Sequence, residues 1–451
     1  MTKKKTNQSR RTFMQVSAAA GAGFWAAGGV APKKSLASIE EIRFGCIGVG
    51  GKGVSDSDDA QRNGKVVAIC DIDDEILGKA SEKFDNPAKF NDFREMLDKM
   101  GDSIDAVTVS TPDHTHAVAA AMAMKMKKAC FCQKPLTHSL WEARQLSDIA
   151  REMGVATQMG NQGTAESNLR KSAALVGKKK IIGDVAEIHV WTNRPVWPQA
   201  YGLDVKTMEP PKHVHWDLWL GPAKKHDYSP EIHPFKWRGF WDFGTGALGD
   251  MACHTLNMSF MALDLRDPVS VEADADRHDG ICYPKWSKIV FEFPERNGRA
   301  ACKMIWYDGG KMPPAELMKD LPKQSDQHFS SGALLIGDKG MFYSPGDYGQ
   351  ETRYTGTIVD GEFTPIRQLE CDDYVKSPGH FVEFADAIKG GDAAMSNIQT
   401  YSGGLTETVL LGNLAVWSSK KVDWDAEKLI AKGTNELDKI IKPDFQNGYS
   451  L

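Results

Sequence analysis

No run of about 18 strongly apolar residues occurs in the chain, so a permanent membrane-spanning helix is not expected. Eight cysteines are present, yet none belongs to a paired C-x-x-C, so the spacing of a zinc site is missing and no metal is expected. A surplus of positive charge is missing as well: 55 Lys/Arg stand against 60 Asp/Glu, a net charge of −5. Seven of those Lys/Arg and none of the acids fall in residues 1–37, so the rest of the chain carries −12. That balance argues against nucleic acid and anionic membrane surfaces as partners and suits a small, uncharged substrate. Internal repeats are lacking, and no low-complexity segment lies beyond the first 37 residues. What remains is an ordinary globular composition on 451 residues, long enough for two or three domains with full cores.

The first 37 residues read as a targeting segment. Lys3-Lys4-Lys5 and Ser9-Arg10-Arg11-Thr12-Phe13-Met14 precede a mild Ala/Gly stretch from Val16 to Ala31, and a small-x-small site follows at Ser35-Leu36-Ala37. This resembles a twin-arginine export signal cleaved after Ala37, with no cysteine there to carry a lipid anchor. The expectation is a periplasmic protein exported folded by the twin-arginine machinery, without stable membrane insertion. Thiols set in a reducing cytoplasm should then be mostly free and buried, with Cys282 and Cys302 the one candidate pair across adjacent strands.

The chain from Arg43 to Gly53 reads as a buried strand, a tight glycine turn and the first turn of a helix. Gly48, Gly50 and Gly53 fit G-x-G-x-x-G, with Gly51 inside the same turn. In a dinucleotide site such glycines make the turn, admit a pyrophosphate and let helix and strand pack closely. The helix N-terminus adds free N–H groups and a positive dipole end. A second apolar run, Val66 to Cys70, ends in Asp71, 23 residues after Gly48. A carboxylate there is placed to bind an adenosine ribose and to repel a 2′-phosphate, which favours NAD over NADP.

Strand-like runs at 42–48, 65–70, 88–91, 105–110, 128–132 and 155–159 alternate with helix-like runs at 51–62, 74–84, 92–100, 114–126 and 138–152. That alternation predicts a doubly wound parallel Rossmann sheet over residues 38–160. Its functional loops lie at the carboxyl ends of the strands. Two such ends carry polar groups, Ser110-Thr111-Pro112-Asp113-His114-Thr115-His116 and Gln133-Lys134-Pro135. Past residue 160 the pattern changes. A helix is expected at 165–176 and a long strand at 182–192. Strand-like runs dominate 268–370, and helices near 380–389 and 402–418 should pack back on the first domain. Residues 161–451 thus read as an α+β substrate and oligomerisation domain with a large open, mostly antiparallel sheet. Six tryptophans between 191 and 241 offer faces for a sugar ring, although sheet and core packing accounts for most of them. Asp250 and His254, four apart on one helix, read on spacing alone as a helix-start acid and a satisfied core histidine.

The glycine turn, Lys134-Pro135 at a strand tip and the Asp250/His254 helix together resemble the Gfo/Idh/MocA oxidoreductases. The resemblance runs from about residue 40 to residue 430, and one periplasmic member shares the export signal. It implies an N-terminal Rossmann domain and a C-terminal α/β domain on an open sheet. Gly48, Gly50, Gly51, Gly53 and Asp71 would then bind cofactor. Thr111, Pro112 and His114 would line its nicotinamide half, and Ser110 and Gln133 would also bind cofactor. Lys134 matches the lysine of the family's Glu-Lys-Pro signature, and Asp250 and His254 match its catalytic Asp and His. Asn161, Trp191, Lys236, Arg238 and Asn257 are the expected substrate contacts. The chain departs from the family at Gln133, where the signature has glutamate, and at Asn257, a position often acidic.

The implied activity is hydride transfer between a secondary alcohol of a sugar or glycoside and nicotinamide. His254 would exchange the hydroxyl proton, Lys134 would stabilise the reacting oxygen, and Asp250 would orient His254. Outside the inner membrane no dependable NAD pool exists, so the cofactor should be tightly held and the redox cycle closed on the protein. Two other readings stay open: an NAD-dependent glycosidase that oxidises, eliminates and re-reduces, and a non-catalytic sugar-binding protein. A homodimer or homotetramer is expected from the long sheet.

Overall fold

The computed structural model describes residues 40–451; the expected export signal at 1–37 lies outside them. Strands β1 (Ile42–Ile47), β2 (Gly64–Cys70), β3 (Ala88–Phe90), β4 (Ala106–Val109), β5 (Ala129–Cys132) and β6 (Thr157–Met159) form one six-stranded sheet. Its order is β3-β2-β1-β4-β5-β6 and every pairing is parallel. All residues of β4 and β5 are buried, as expected of strands covered on both faces. The chain winds outward from β1 to β3 and returns to place β4 on the other side of β1. That reversal opens a crevice at the carboxyl ends of β1 and β4, where ligands bind in doubly wound sheets.

A second sheet has ten strands in the order β14-β13-β12-β11-β7-β10-β9-β8-β15-β16. These are β7 (Val185–Trp191), β8 (Ser270–Ala275), β9 (Ser287–Phe293), β10 (Cys302–Tyr307), β11 (Gly332–Gly337), β12 (Gly340–Pro345), β13 (Gly356–Val359), β14 (Glu362–Pro365), β15 (Val422–Asp425) and β16 (Ile430–Ala431). Only β7 and β10 pair in parallel. The expected helix at 165–176 is divided into a 3-10 turn Gln162–Ala165, a helix Ser167–Ala173 and a π-helical turn Ala174–Lys178.

The helix Gly403–Ser418 is apolar on all sides because it is enclosed on all sides. It packs on β8, β9 and the helices Leu140–Met153 and Gly246–Thr255. The helix His380–Ile388 lays Phe381 and Phe384 against Phe44 and Phe131 of the parallel sheet, so late sequence completes the core of the first sheet.

Residues 193–245 contain no strand. This segment bonds to the loops after three parallel strands: Asp74 N–H to His213 O, His114 N–H to Phe243 O, and the His138 ring to Trp241 O. It therefore runs across the carboxyl ends of β2, β4 and β5 and walls the crevice. All eight cysteines are free and buried. The candidate pair Cys282–Cys302 does not form: Cys302 lies opposite Phe293 at the far end of β9, whereas Cys282 precedes the near end.

Candidate active site

The crevice begins at the glycine turn. Gly48 has φ +78°, and a Cβ there would lie 2.6 Å from Ser110 O. A Cβ on Gly53 would lie 2.0 Å from Gly48 O, so no other residue lets the helix Lys52–Asn63 meet the strand. Asp71 sits under this turn. Its Oδ2 accepts the Val49 N–H at 2.9 Å and its Oδ1 the Asp73 N–H at 3.1 Å. Burial pushes its carboxyl up and those N–H groups hold it back. Both oxygens keep a free lone pair for ribose hydroxyls. The glycine turn, closed to a Cβ at Gly48 and Gly53, and this carboxylate fit a dinucleotide.

At the tip of β5, Lys134 Nζ donates to Asp250 Oδ1 at 2.6 Å and to Asp250 O at 2.8 Å. Arg238 Nε donates to the same Oδ1 at 3.0 Å. Burial alone would push the Asp250 carboxyl up; the charges of Lys134 and then Arg238 outweigh it and hold it well below the usual carboxylate range. Arg238 lies over the ring of Trp237 at 4.3 Å and near that of Trp197 at 6.0 Å. One helical turn beyond Asp250, His254 is buried, with Nδ1 lacking any hydrogen-bond partner. Burial first, and then the Lys134 charge, drive its pKa far down, so the ring is neutral. Tyr348 meets it edge-on, ring centroids 4.9 Å apart.

Lys134, Asp250, Arg238 and His254 are thus brought together, beside the turn that carries Gly48, Gly50, Gly51, Gly53 and Asp71. Thr111 and Pro112 flank the same crevice, half-buried. Other expected residues are spent elsewhere. The His114 ring nitrogens face Phe243 O and Trp219 O, and its ring lies between those two side chains, so it does not line the nicotinamide side. Its neighbour His116 instead spans the two loops, its ring nitrogens 2.8 Å from Thr111 O and Pro135 O, and the neutral ring donates to one of the two carbonyls. Ser110 and Gln133 turn their side chains to Asp56.

Asn161 and Asn257 are fully buried. Asn161 bonds to Ser396 and Cys253 O, and Asn257 to Thr164 and Tyr401, so neither is free for substrate. Trp191 is stacked on Tyr343 on the other face of the second sheet, outside the site. Lys236 pairs with Glu231. Asp250 does not orient His254 as expected; its side chain is turned to the two cations.

Three residues escaped the sequence reading, Asp56, Asp347 and Tyr348, and His116 was placed at the strand end without a role. Asp56 lies four residues after Lys52 and looks like an ordinary helix ion pair. Asp347-Tyr348 sits between Gly346 and Gly349 in the loop after β12, and that glycine-bracketed strand end was the available signal. Burial, followed by Asp347 and Asp250, raises the Tyr348 pKa.

Two models of one oxidoreductase family match this chain. The NAD-binding Rossmann fold matches residues 42–161 and the C-terminal alpha/beta domain residues 176–314, together more than half of the sequence. Levoglucosan dehydrogenase of Pseudarthrobacter phenanthrenivorans is 24% identical over 191 residues, 42% of this chain and 40% of that protein. Alpha-N-acetylgalactosaminidase of Shewanella oneidensis is 33% identical over 172 residues, 32% of this chain and 37% of that protein. The matches span roughly a quarter to two fifths of the curated relatives' length. Among solved structures, the WlbA dehydrogenase of Bordetella pertussis, in complex with NADH and UDP-GlcNAcA, superposes with a TM-score of 0.60. It shares 15% identity, over 86% of this chain and 99% of that one, a likeness of fold. On the two family models and the site they enclose, the chain belongs to the Gfo/Idh/MocA oxidoreductase family.

Proposed function

We propose that this protein is an NAD-dependent oxidoreductase for a secondary alcohol on a sugar or glycoside. The observation that carries the reading is Lys134, held by Asp250 at the carboxyl end of β5, with a neutral His254 one helical turn beyond Asp250. Gly48, Gly50, Gly51, Gly53 and Asp71 would hold the dinucleotide, and the Asp71 carboxylate, which would repel a 2′-phosphate, favours NAD over NADP. Bound NAD supplies a hydride acceptor. Lys134 hydrogen-bonds the reacting oxygen and stabilises negative charge growing on it. His254 takes the hydroxyl proton on a ring nitrogen, and the nearby Asp250 carboxylate favours the imidazolium that forms. Asp250, itself held by Arg238, keeps Lys134 from turning away. The curated relatives act on sugars by their names, which supports the substrate class.

A second reading, glycoside cleavage through transient ring oxidation, elimination and re-reduction, is favoured by the 33% identity to a galactosaminidase. Both readings go with a periplasmic enzyme that carries tightly bound cofactor and assembles as a homodimer or homotetramer.

The test is to purify the protein, denature it and identify any released nucleotide by mass, then to offer glucosides and galactosides. A keto sugar marks the dehydrogenase and a free aglycone the glycosidase. His254→Ala and Lys134→Ala should each lose most turnover while retaining nucleotide; full activity in either overturns the assignment. Sugar binding with no product, cofactor present, would make this a binding protein. Replacing Arg10 and Arg11 by lysine should strand the protein in the cytoplasm, as fractionation would show.

A further inference from the structure

The family signature places glutamate where this chain has Gln133, but a carboxylate is still present at that spot, supplied by another element. Asp56, on the helix Lys52–Asn63, is 1% exposed. Its Oδ2 accepts from Gln133 Nε2 at 2.8 Å and from Ser110 Oγ at 2.7 Å, and its Oδ1 accepts from Lys52 Nζ at 2.7 Å. Gln133 Oε1 faces the other way and accepts the Lys134 N–H at 3.3 Å. The amide is therefore oriented by its partners, nitrogen to carboxylate and oxygen to peptide N–H. It is also boxed in, because a Cβ on Gly160 would lie 2.4 Å from Gln133 Nε2. A glutamate at 133 would bring two carboxylates to hydrogen-bond distance in a buried place, where both cannot ionise.

We propose that Asp56 and Gln133 are a matched pair and that Asp56 is a positioning residue. It holds the strand-tip residues Ser110 and Gln133 against the phosphate-facing helix, and so fixes the backbone from which Lys134 projects. One buried carboxylate thereby joins the ends of β4 and β5 to the glycine turn's helix. Exchanging the two side chains, as in D56N/Q133E, keeps the count of carboxylates while moving the acid from helix to strand tip. The claim about turnover rests on the role proposed for Lys134; the claims about binding and folding do not.

The test uses the full chain with D56N, Q133E and D56N/Q133E, reading NAD affinity by tryptophan fluorescence, and kcat and KM on the best sugar. At about pH 8, Q133E should bind NAD about tenfold more weakly, and the double variant should return to within about threefold of the parent, since contacting groups couple strongly. The Q133E defect should shrink toward about pH 5, where one of the two carboxylates takes a proton. In D56N, kcat should fall more than KM rises. A pH-independent Q133E defect, or a double variant no better than Q133E, overturns the proposal. If Q133E does not fold, the double variant decides: folded and NAD-binding supports the pair, unfolded refutes it. Should binding follow this pattern while Lys134→Ala keeps full turnover, the matched pair stands and the hydride-transfer reading falls.

Discussion

Asp250 is the residue on which the charges of the site balance. It faces two cations, Lys134 at 2.6 Å and Arg238 at 3.0 Å, so replacing it with asparagine leaves both without a counter-charge. D250N should lower kcat by about 100-fold, the size expected when a reacting group shifts by about 1 Å, measured in steady-state kinetics with the sugar. Its folded-state pKa is depressed, so the stability it contributes is present above its unfolded pKa of about 3.9 and is lost as pH falls through the lower folded value. The Tm gap between parent and D250N should therefore be full at neutral pH and shrink only below about pH 4. A gap that narrowed between neutrality and pH 5 would contradict the ion pair. At His254 the sign is the same: burial and the Lys134 charge lower its pKa and keep the ring neutral, so stability is lost as pH falls below its unfolded value of about 6.5.

Among the elements, the glycine turn and the loops at the strand tips are set by how closely backbone meets backbone. Gly53 and Gly51 separate two kinds of requirement. A methyl on Gly53 would enter the Gly48 carbonyl, whereas at Gly51 no atom lies within 4 Å and only the φ of +51° resists substitution. G53A should abolish NAD binding in a fluorescence titration. G51A should cost only about 1–2 kcal/mol in denaturant unfolding, the left-handed penalty for a side chain, and should keep most of its NAD affinity. The His116 ring ties the loop after β4 to the loop of Lys134 through two carbonyls. Removing that polar bridge with H116F should lower kcat without unfolding the protein, as circular dichroism run alongside the kinetics would show.

For the molecule as a whole, distant sequence closes the first sheet and the site. The Arg170 guanidinium, 2% exposed along its side chain, donates to Glu383 Oε1 at 2.5 Å, to Thr164 O and to Val375 O. Removing one partner of such a buried pair costs about 3–5 kcal/mol, and Phe384→Ala in the core beside it costs about as much. R170A and F384A should each lower the denaturant midpoint of the whole chain in one transition. A second transition confined to residues 380–418 would show that these helices are not part of the first core. The parallel sheet, the G-x-G-x-x-G turn, Asp71 and the lysine at a strand tip were legible in the sequence. Each depends on local pattern: apolar runs that need burial on both faces, glycines where no Cβ fits, and a carboxylate one strand on. Asp250 and His254 were legible as one helix face, but not the direction in which Asp250 turns, because that depends on Arg238 arriving from the irregular 193–245 segment. Asn161, Asn257 and Trp191 looked available by type, and packing assigned them to the core. Asp56 and His116 were hidden for the converse reason: their partners lie 54 to 77 and 5 to 19 residues away, on loops that meet only when the sheet is wound. Sequence alone determined the fold of the cofactor half, since strand, turn and helix there are neighbours along the chain. Tertiary structure alone decided which polar groups face the crevice, since hydrogen-bond partners in a buried site are chosen by distance in space.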